Sequence, residues 1–172
     1  MKVGKKLVFL LAFAVIVAGC GKPKAPELKE VKAWPLNSLD GVQVKHGVSL
    51  DPQVSWDGKG SLKISAPGPT TVTLFTAGPL GLDEAKLIYQ AMLKTKDVTG
   101  DVYLEMWCGF KGKGEFFSRA VMTPLKGTTD WTMQITPFIL EKGQKPEIVR
   151  LNVVITGPGE VWVDDVKLLA EK

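Results

Sequence analysis

From about residue 60 onward, hydrophobic and polar residues alternate in short runs separated by Gly, Pro and Asp. That period of two is the signature of half-buried strands. Ser61-Leu62-Lys63-Ile64-Ser65 alternates and stops at Ala66-Pro67-Gly68-Pro69. Thr70 to Phe75 is β-branched and ends near Gly78-Pro79. In Asp101 to Cys108, Val102, Leu104, Met106 and Cys108 share one face, and Tyr103, Glu105 and Trp107 the other. Lys111-Gly112-Lys113-Gly114 reads as a hairpin turn leading into Phe116 to Met122. Further strands are predicted over Asp130 to Thr136, Ile148 to Thr156 and, after Gly157-Pro158-Gly159, Glu160 to Leu169. No internal repeat is present. Many short strands at this spacing predict an all-β antiparallel sandwich or barrel. One segment is ambiguous. Leu82, Ala85, Tyr89, Met92 and Leu93 fall near helical spacing and Asp83-Glu84 suits a helix start, whereas Tyr89, Ala91 and Leu93 would share one face of a strand.

The first 20 residues follow a different pattern. A basic opening with Lys2, Lys5 and Lys6 precedes an uncharged apolar run from Leu7 to Ala18. The run is too short to span a bilayer, which takes about 20 apolar residues, and fits the apolar region of a signal peptide. It ends Val17-Ala18-Gly19-Cys20. Small residues before a cysteine resemble the lipobox of bacterial lipoproteins. That resemblance implies cleavage after residue 19, a diacylglycerol on the Cys20 thiol and acylation of the new amine. Several acyl chains give stable membrane anchoring where one is marginal. Gly21, rather than Asp, after the cysteine implies an outer-membrane or cell-surface address. The Pro- and charge-rich residues 21–33 are expected to be a flexible tether, with a single globular domain over 34–172.

Processing changes the charge and the cysteine count. Loss of Lys2, Lys5 and Lys6 takes the formal charge from +4 to +1, so the chain carries no basic footprint for nucleic acid. With Cys20 lipidated, Cys108 is the remaining one of the 2 cysteines and no intramolecular disulfide is possible. Cys108 alternates in phase with an apolar row and reads as a small buried hydrophobe.

Four pieces in order resemble the galactose-binding-like jelly-roll domains found among carbohydrate-binding modules. They are Trp56-Asp57-Gly58-Lys59-Gly60-Ser61-Leu62-Lys63-Ile64, Tyr89-Gln90-Ala91-Met92-Leu93-Lys94-Thr95, Gly127-Thr128-Thr129-Asp130-Trp131-Thr132, and Gly159 through Leu168. They bracket residues 36–169. The resemblance implies two facing antiparallel sheets of eight or more strands, no catalytic machinery, and a strand rather than a helix over 83–94. Locally, Gly58 and Gly60 allow a tight loop with positive φ, and Trp131 and Trp162 supply apolar area at the sandwich edges.

The resemblance also implies a structural calcium between the first and last strands. Calcium takes several carboxylate and carbonyl oxygens. Asp164 or Asp165 matches the last-strand carboxylate, Asp40 stands where a Glu is common, and the Trp56–Gly60 loop would offer carbonyls. A ligand face is expected on the outward side of the 101–108 strand, where Tyr103, Glu105 and Trp107 would be joined by Arg119, Gln134, Arg150 and Asn152. An aromatic ring among amides and charges suits a sugar, because the ring stacks on the C–H face and the polar groups bind hydroxyls. The competing reading makes Trp107 part of a second small core, with Glu105 paired to Arg119.

Catalytic readings find little support. His46 is the one histidine, leaving Ser118 without a triad partner. No acid pair is placed as a glycosidase dyad, and Lys111–Gly114 lacks the helix start of a phosphate loop. The expectation is a non-enzymatic, lipid-anchored envelope module that binds carbohydrate. The alternative is an envelope interaction protein that uses the same fold to dock a protein partner.

Overall fold

The computed structural model describes residues 27–44 and 46–172. The expected signal peptide over residues 1–19, Cys20 and residues 21–26 lie outside the described residues. The alternating segments form β1 (Leu28–Trp34), β2 (Val48–Asp51), β3 (Ser61–Ala66), β4 (Thr70–Ala77), β5 (Ala85–Phe110), β6 (Gly114–Arg119), β7 (Leu125–Leu140), β8 (Ile148–Ile155) and β9 (Gly159–Glu171). Every pairing is antiparallel.

The 26-residue β5 organises the architecture. Its first half, Lys86–Lys96, lies between β7 and β9, and β9 continues outward to β3 and β2. Its second half, Val102–Gly109, pairs β8, which leads to β4, while its other edge takes β6. One strand therefore serves both sheets. It turns between them over residues 93–102, where the β7 register shifts repeatedly and Asp97 adopts φ 52°. Bulges of this kind bend a strand and tighten its twist. Segment 83–94 is strand from Ala85, as the resemblance implied.

The expected tether boundary is revised. Residues 28–34 form β1, paired with β9 from Leu28↔Glu171 to Trp34↔Val166. Most of β1's side chains are exposed, so it looks like linker by composition. Its main-chain pairing and the burial of Trp34, stacked on Phe75 at 5.0 Å, hold it to the domain. The strand expected over 116–122 ends at Arg119 instead, because Thr123 N–H donates to Ala120 C=O in a turn. Lys113 N–H to Phe110 C=O (3.1 Å) closes the expected hairpin turn. Gly58 and Gly60 adopt φ 83° and 101° as their loop requires.

A single core cluster lies between the sheets. Leu87, Tyr89, Ala91 and Leu93 enter it from the first half of β5, and Val102, Leu104, Met106 and Cys108 from the second. Burial pushes the Cys108 thiol up to about 12, which removes it as a nucleophile at neutral pH. Tyr89 is fully buried and its hydroxyl has no hydrogen-bond partner among the described residues. An unmade hydrogen bond in a dry core is destabilising, and removing the polar atom relieves it. Tyr89→Phe is therefore expected to raise unfolding stability by about 1 kcal/mol in urea titration; a loss of stability would mean the hydroxyl has a partner after all.

Candidate functional site

The outward face of the second half of β5 carries the strongest constellation. Antiparallel register places Arg119 on β6 and Asn152 on β8 directly opposite Glu105, one on each side. Two residues along, it places Phe117 and Arg150 on either side of Trp107. In this half of β5 hydrophobic alternation turns the even-numbered residues Val102, Leu104, Met106 and Cys108 into the core, so these odd-numbered ones face away from it.

Glu105 is 4% exposed. Its Oε1 accepts from Asn152 Nδ2 at 2.8 Å, and its Oε2 accepts from Arg119 Nε. Burial alone would raise its pKa, but the polar groups of Asn152, Trp107 and Arg119 around it outweigh that and hold it below the usual carboxylate range. It is an anchored anion rather than a poised acid. Asn152 Oδ1 is buried and has no partner among the described residues. Arg150 grips Glu115 with two hydrogen bonds, Nη1 to Oε1 at 2.8 Å and Nη2 to Oε2 at 2.6 Å. That fork geometry fixes the guanidinium, which stands 6.0 Å from the Trp107 ring centre. Trp107 and Phe117 are tilted at 45° with centroids 5.0 Å apart, and Arg119 lies 4.2 Å over the Phe117 ring. Phe117 is exposed, and Trp107 and Tyr103 are half-buried. The result is an aromatic ridge beside a buried polar floor, with both guanidiniums paired to carboxylates.

Of the seven expected ligand-face residues, the structure brings together Glu105, Trp107, Arg119, Arg150 and Asn152, with Tyr103 at the end of the row. Gln134 does not join them. It lies on β7 opposite Ala91 of β5, is buried on the core side, and donates to Thr123 C=O at 2.9 Å. Sequence reasoning missed Phe117 and Glu115. The hairpin turn at 111–114 was the signal for both, because following its register places Phe117 opposite Trp107.

The expected calcium ligands are not gathered. Asp164 Oδ2 accepts Trp56 N–H at 2.7 Å and Asp57 N–H at 3.4 Å, and its Oδ1 accepts Asp165 N–H at 2.8 Å. Its carboxylate thus ties the Trp56–Gly60 loop to β9 through N–H donors. Asp165 pairs with Lys167, and Asp40 caps its own turn through Ser38. Among the described residues no three His, Cys, Asp or Glu side chains cluster as metal ligands. The three acids do not fit a shared ion, because each is engaged by its own local donors: the Ser38 hydroxyl on Asp40, backbone N–H groups on Asp164 and the Lys167 ammonium on Asp165.

No protein-family model and no curated protein sequence matches the chain. Solved structures do match in fold. A Clostridium thermocellum endo-1,4-β-D-xylanase fragment with a family 22 carbohydrate-binding module, solved with xylohexaose, aligns at TM-score 0.60 and 13% identity. The match covers 84% of this chain but 28% of that one. The family 22 xylan-binding domain of a Paenibacillus barcinonensis xylanase aligns at TM-score 0.51 and 11% identity, over 87% of this chain and 97% of that one. A family 16 carbohydrate-binding module aligns at TM-score 0.51 and 16% identity, over 71% and 84% of the two chains. The chain is thus an all-β antiparallel sandwich with the fold seen in these modules. At these identities the likeness is one of fold, and function has to be argued from the site.

Proposed function

We propose that this protein is a lipid-anchored envelope module that binds neutral carbohydrate without transforming it. The observation that carries the reading is the Trp107–Phe117 ridge set beside the Glu105–Asn152–Arg119 floor. A ring of this kind stacks on the apolar face of a pyranose, and the fixed polar groups beside it bind hydroxyls. Because Arg119 and Arg150 are each paired with a glutamate, the face carries little net charge and suits an uncharged chain better than an acidic one. From Tyr103 to Trp107 it runs about 14 Å along the strand, longer than a single sugar ring. Neighbours of the same fold are described as xylan-binding or were solved with a xylose oligomer, so xylan is the first probe to try. The paired glutamates are held by arginines and lack the freedom of an acid/base couple, which supports binding over hydrolysis.

Trp107→Ala is expected to weaken retention of the full chain on immobilised xylan and related neutral polysaccharides at least tenfold, read by affinity electrophoresis. Undiminished binding in the variant would remove Trp107 from the site. Silence of the folded wild type across a glycan array would move the reading to protein docking. The anchor is tested separately. Cys20→Ala is expected to shift the protein from the membrane to the soluble fraction, and a variant still in the membrane fraction would sink the lipid attachment.

A further inference from the structure

The outer face of the other sheet is apolar where it ought to be polar. In the middle of β7, over residues 133–136, the usual alternation is inverted. Gln134 and Thr136 are buried on the core side, while Met133, Ile135 and Ile139 are 56%, 51% and 66% exposed on the outside. Pro137 is exposed in the same row, and Ile88 on β5 lies directly opposite it. The inversion has a local cause. The inner edge of β7 meets polar partners, Thr136 bonding Ser118 at 2.7 Å and Gln134 bonding Thr123 C=O. Nothing in that contact requires isoleucine on the opposite side. An exposed row of large apolar side chains on an edge strand is a marker of a surface that is covered in use.

The register of the sheet says where this row lies relative to the anchor. Leu28 is opposite Glu171, Glu171 opposite Lys86, and Lys86 opposite Ile139. These four residues form one line across the outer face, about 14 Å from end to end at the usual strand spacing. Leu28 is itself 57% exposed. Whatever path residues 21–26 take, the eight-residue span from Cys20 to Leu28 reaches at most about 28 Å. A lipid on Cys20 therefore holds this face within a few nanometres of the bilayer. The charges along it are internally paired, Lys86 with Glu171 and Lys167 with Asp165, so attraction to anionic headgroups is not its basis.

We infer that the outer face of β7 and the first half of β5 lies on the bilayer surface, seating Met133, Ile135 and Ile139 at the interface. The Trp107 face belongs to the opposite sheet, across the shared core, and is thereby turned away from the membrane toward ligand. This orientation rests on the Cys20 anchor proposed above.

The test uses the full lipoprotein, purified from membranes and reconstituted in phosphatidylcholine vesicles. A nitroxide is attached at Ile135→Cys, with Met133→Cys as a second position and exposed Thr71→Cys on the opposite sheet as control. Cys108 is buried and its thiol is unreactive, so it stays unlabelled. The labels at 133 and 135 are expected to collide several-fold less often with a water-soluble nickel chelate than the label at 71. The protection is expected to survive dilution of protein into excess lipid and to be unchanged by adding phosphatidylglycerol. Equal accessibility at 135 and 71 in protein that floats with the vesicles overturns the orientation and leaves the anchor standing. Protection lost on dilution overturns it in favour of a second copy covering the row. Protein that fails to float overturns both readings.

Discussion

Glu105→Ala is expected to cost about 2–3 kcal/mol of stability and to abolish carbohydrate binding. The carboxylate sits between Arg119 and Asn152 with almost no solvent access. Arg119 is exposed enough to turn to water, so little of the loss comes from the guanidinium. Most comes from Asn152, which is 5% exposed and already has an unpartnered Oδ1; without Glu105 its Nδ2 loses its acceptor as well. Glu105→Gln should be much milder. The glutamine side-chain oxygen can go on accepting from Asn152 Nδ2, so the buried amide keeps the hydrogen bond that alanine removes. The pair of variants separates loss of the floor from loss of charge, with urea unfolding and xylan retention as readouts.

The same residue gives a pH signature. Its folded pKa lies below the ordinary carboxylate value, so its ionisation contributes stability that is fully present above the unfolded value of about 4.3. That contribution is lost as pH falls through the lower folded value. Asp51, whose Oδ2 accepts from the Trp162 indole N–H, behaves in the same sense. Wild-type stability should therefore fall more steeply below about pH 4 than that of Glu105→Gln. Parallel slopes for the two proteins would show that Glu105 is not held in its anionic form.

Gly100→Val is expected to lose about 3 kcal/mol or more and to express poorly. Gly100 lies where β5 passes from one sheet to the other. A Cβ there would stand 2.4 Å from Thr156 Oγ1 and 2.7 Å from Gly157 N. The obstruction is mostly backbone, and it is pinned: Asp101 N–H donates to Thr156 Oγ1 at 2.7 Å, Thr156 N–H to Asp101 C=O at 2.9 Å, and Thr99 N–H to Pro158 C=O at 3.0 Å. Valine would have to push apart the point at which both sheets are joined. Gly68→Ala is the control, because nothing lies within 4 Å of the added carbon; its stability should stay within about 0.5 kcal/mol of wild type.

Strands with a clean inside and outside were legible before any coordinates. β3, β4, β8 and β9 fall close to where alternation placed them, as does the second half of β5, whereas the first half fitted a helix as well and was settled as strand by resemblance. The fusion of those halves was hidden, because residues 94–101 break the period where the strand bends. β1 was hidden for the opposite reason. Its alternation is weak and its side chains mostly exposed, and backbone pairing, which leaves little trace in sequence, is much of what holds it. At the site, parity placed Glu105, Trp107, Arg150 and Asn152 correctly, since each lies on a strand with a strongly apolar inner row. Gln134 failed on that rule. Over residues 133–136 β7 keeps Gln134 and Thr136 inside and Met133 and Ile135 outside, so the usual assumption put Gln134 on the wrong face. The calcium set came from resemblance alone, and the local donors around Asp40, Asp164 and Asp165 could not be read from spacing.

The pairing of β1 with the end of β9 brings Glu27 and Lys172 together, where their main chains exchange two hydrogen bonds of 3.1 and 3.3 Å. The described chain is therefore topologically almost a ring, opened at a point the fold does not use. A few residues joining 172 to 27 would close it, and an exposed turn such as Lys142–Gly143 would serve as the new opening. Such a re-cut chain would keep every strand pairing described above while presenting its ends elsewhere. Which end of the polypeptide is tethered is thus a choice independent of the fold, and attachment through Lys172 would hold the domain at the same corner as attachment through Glu27.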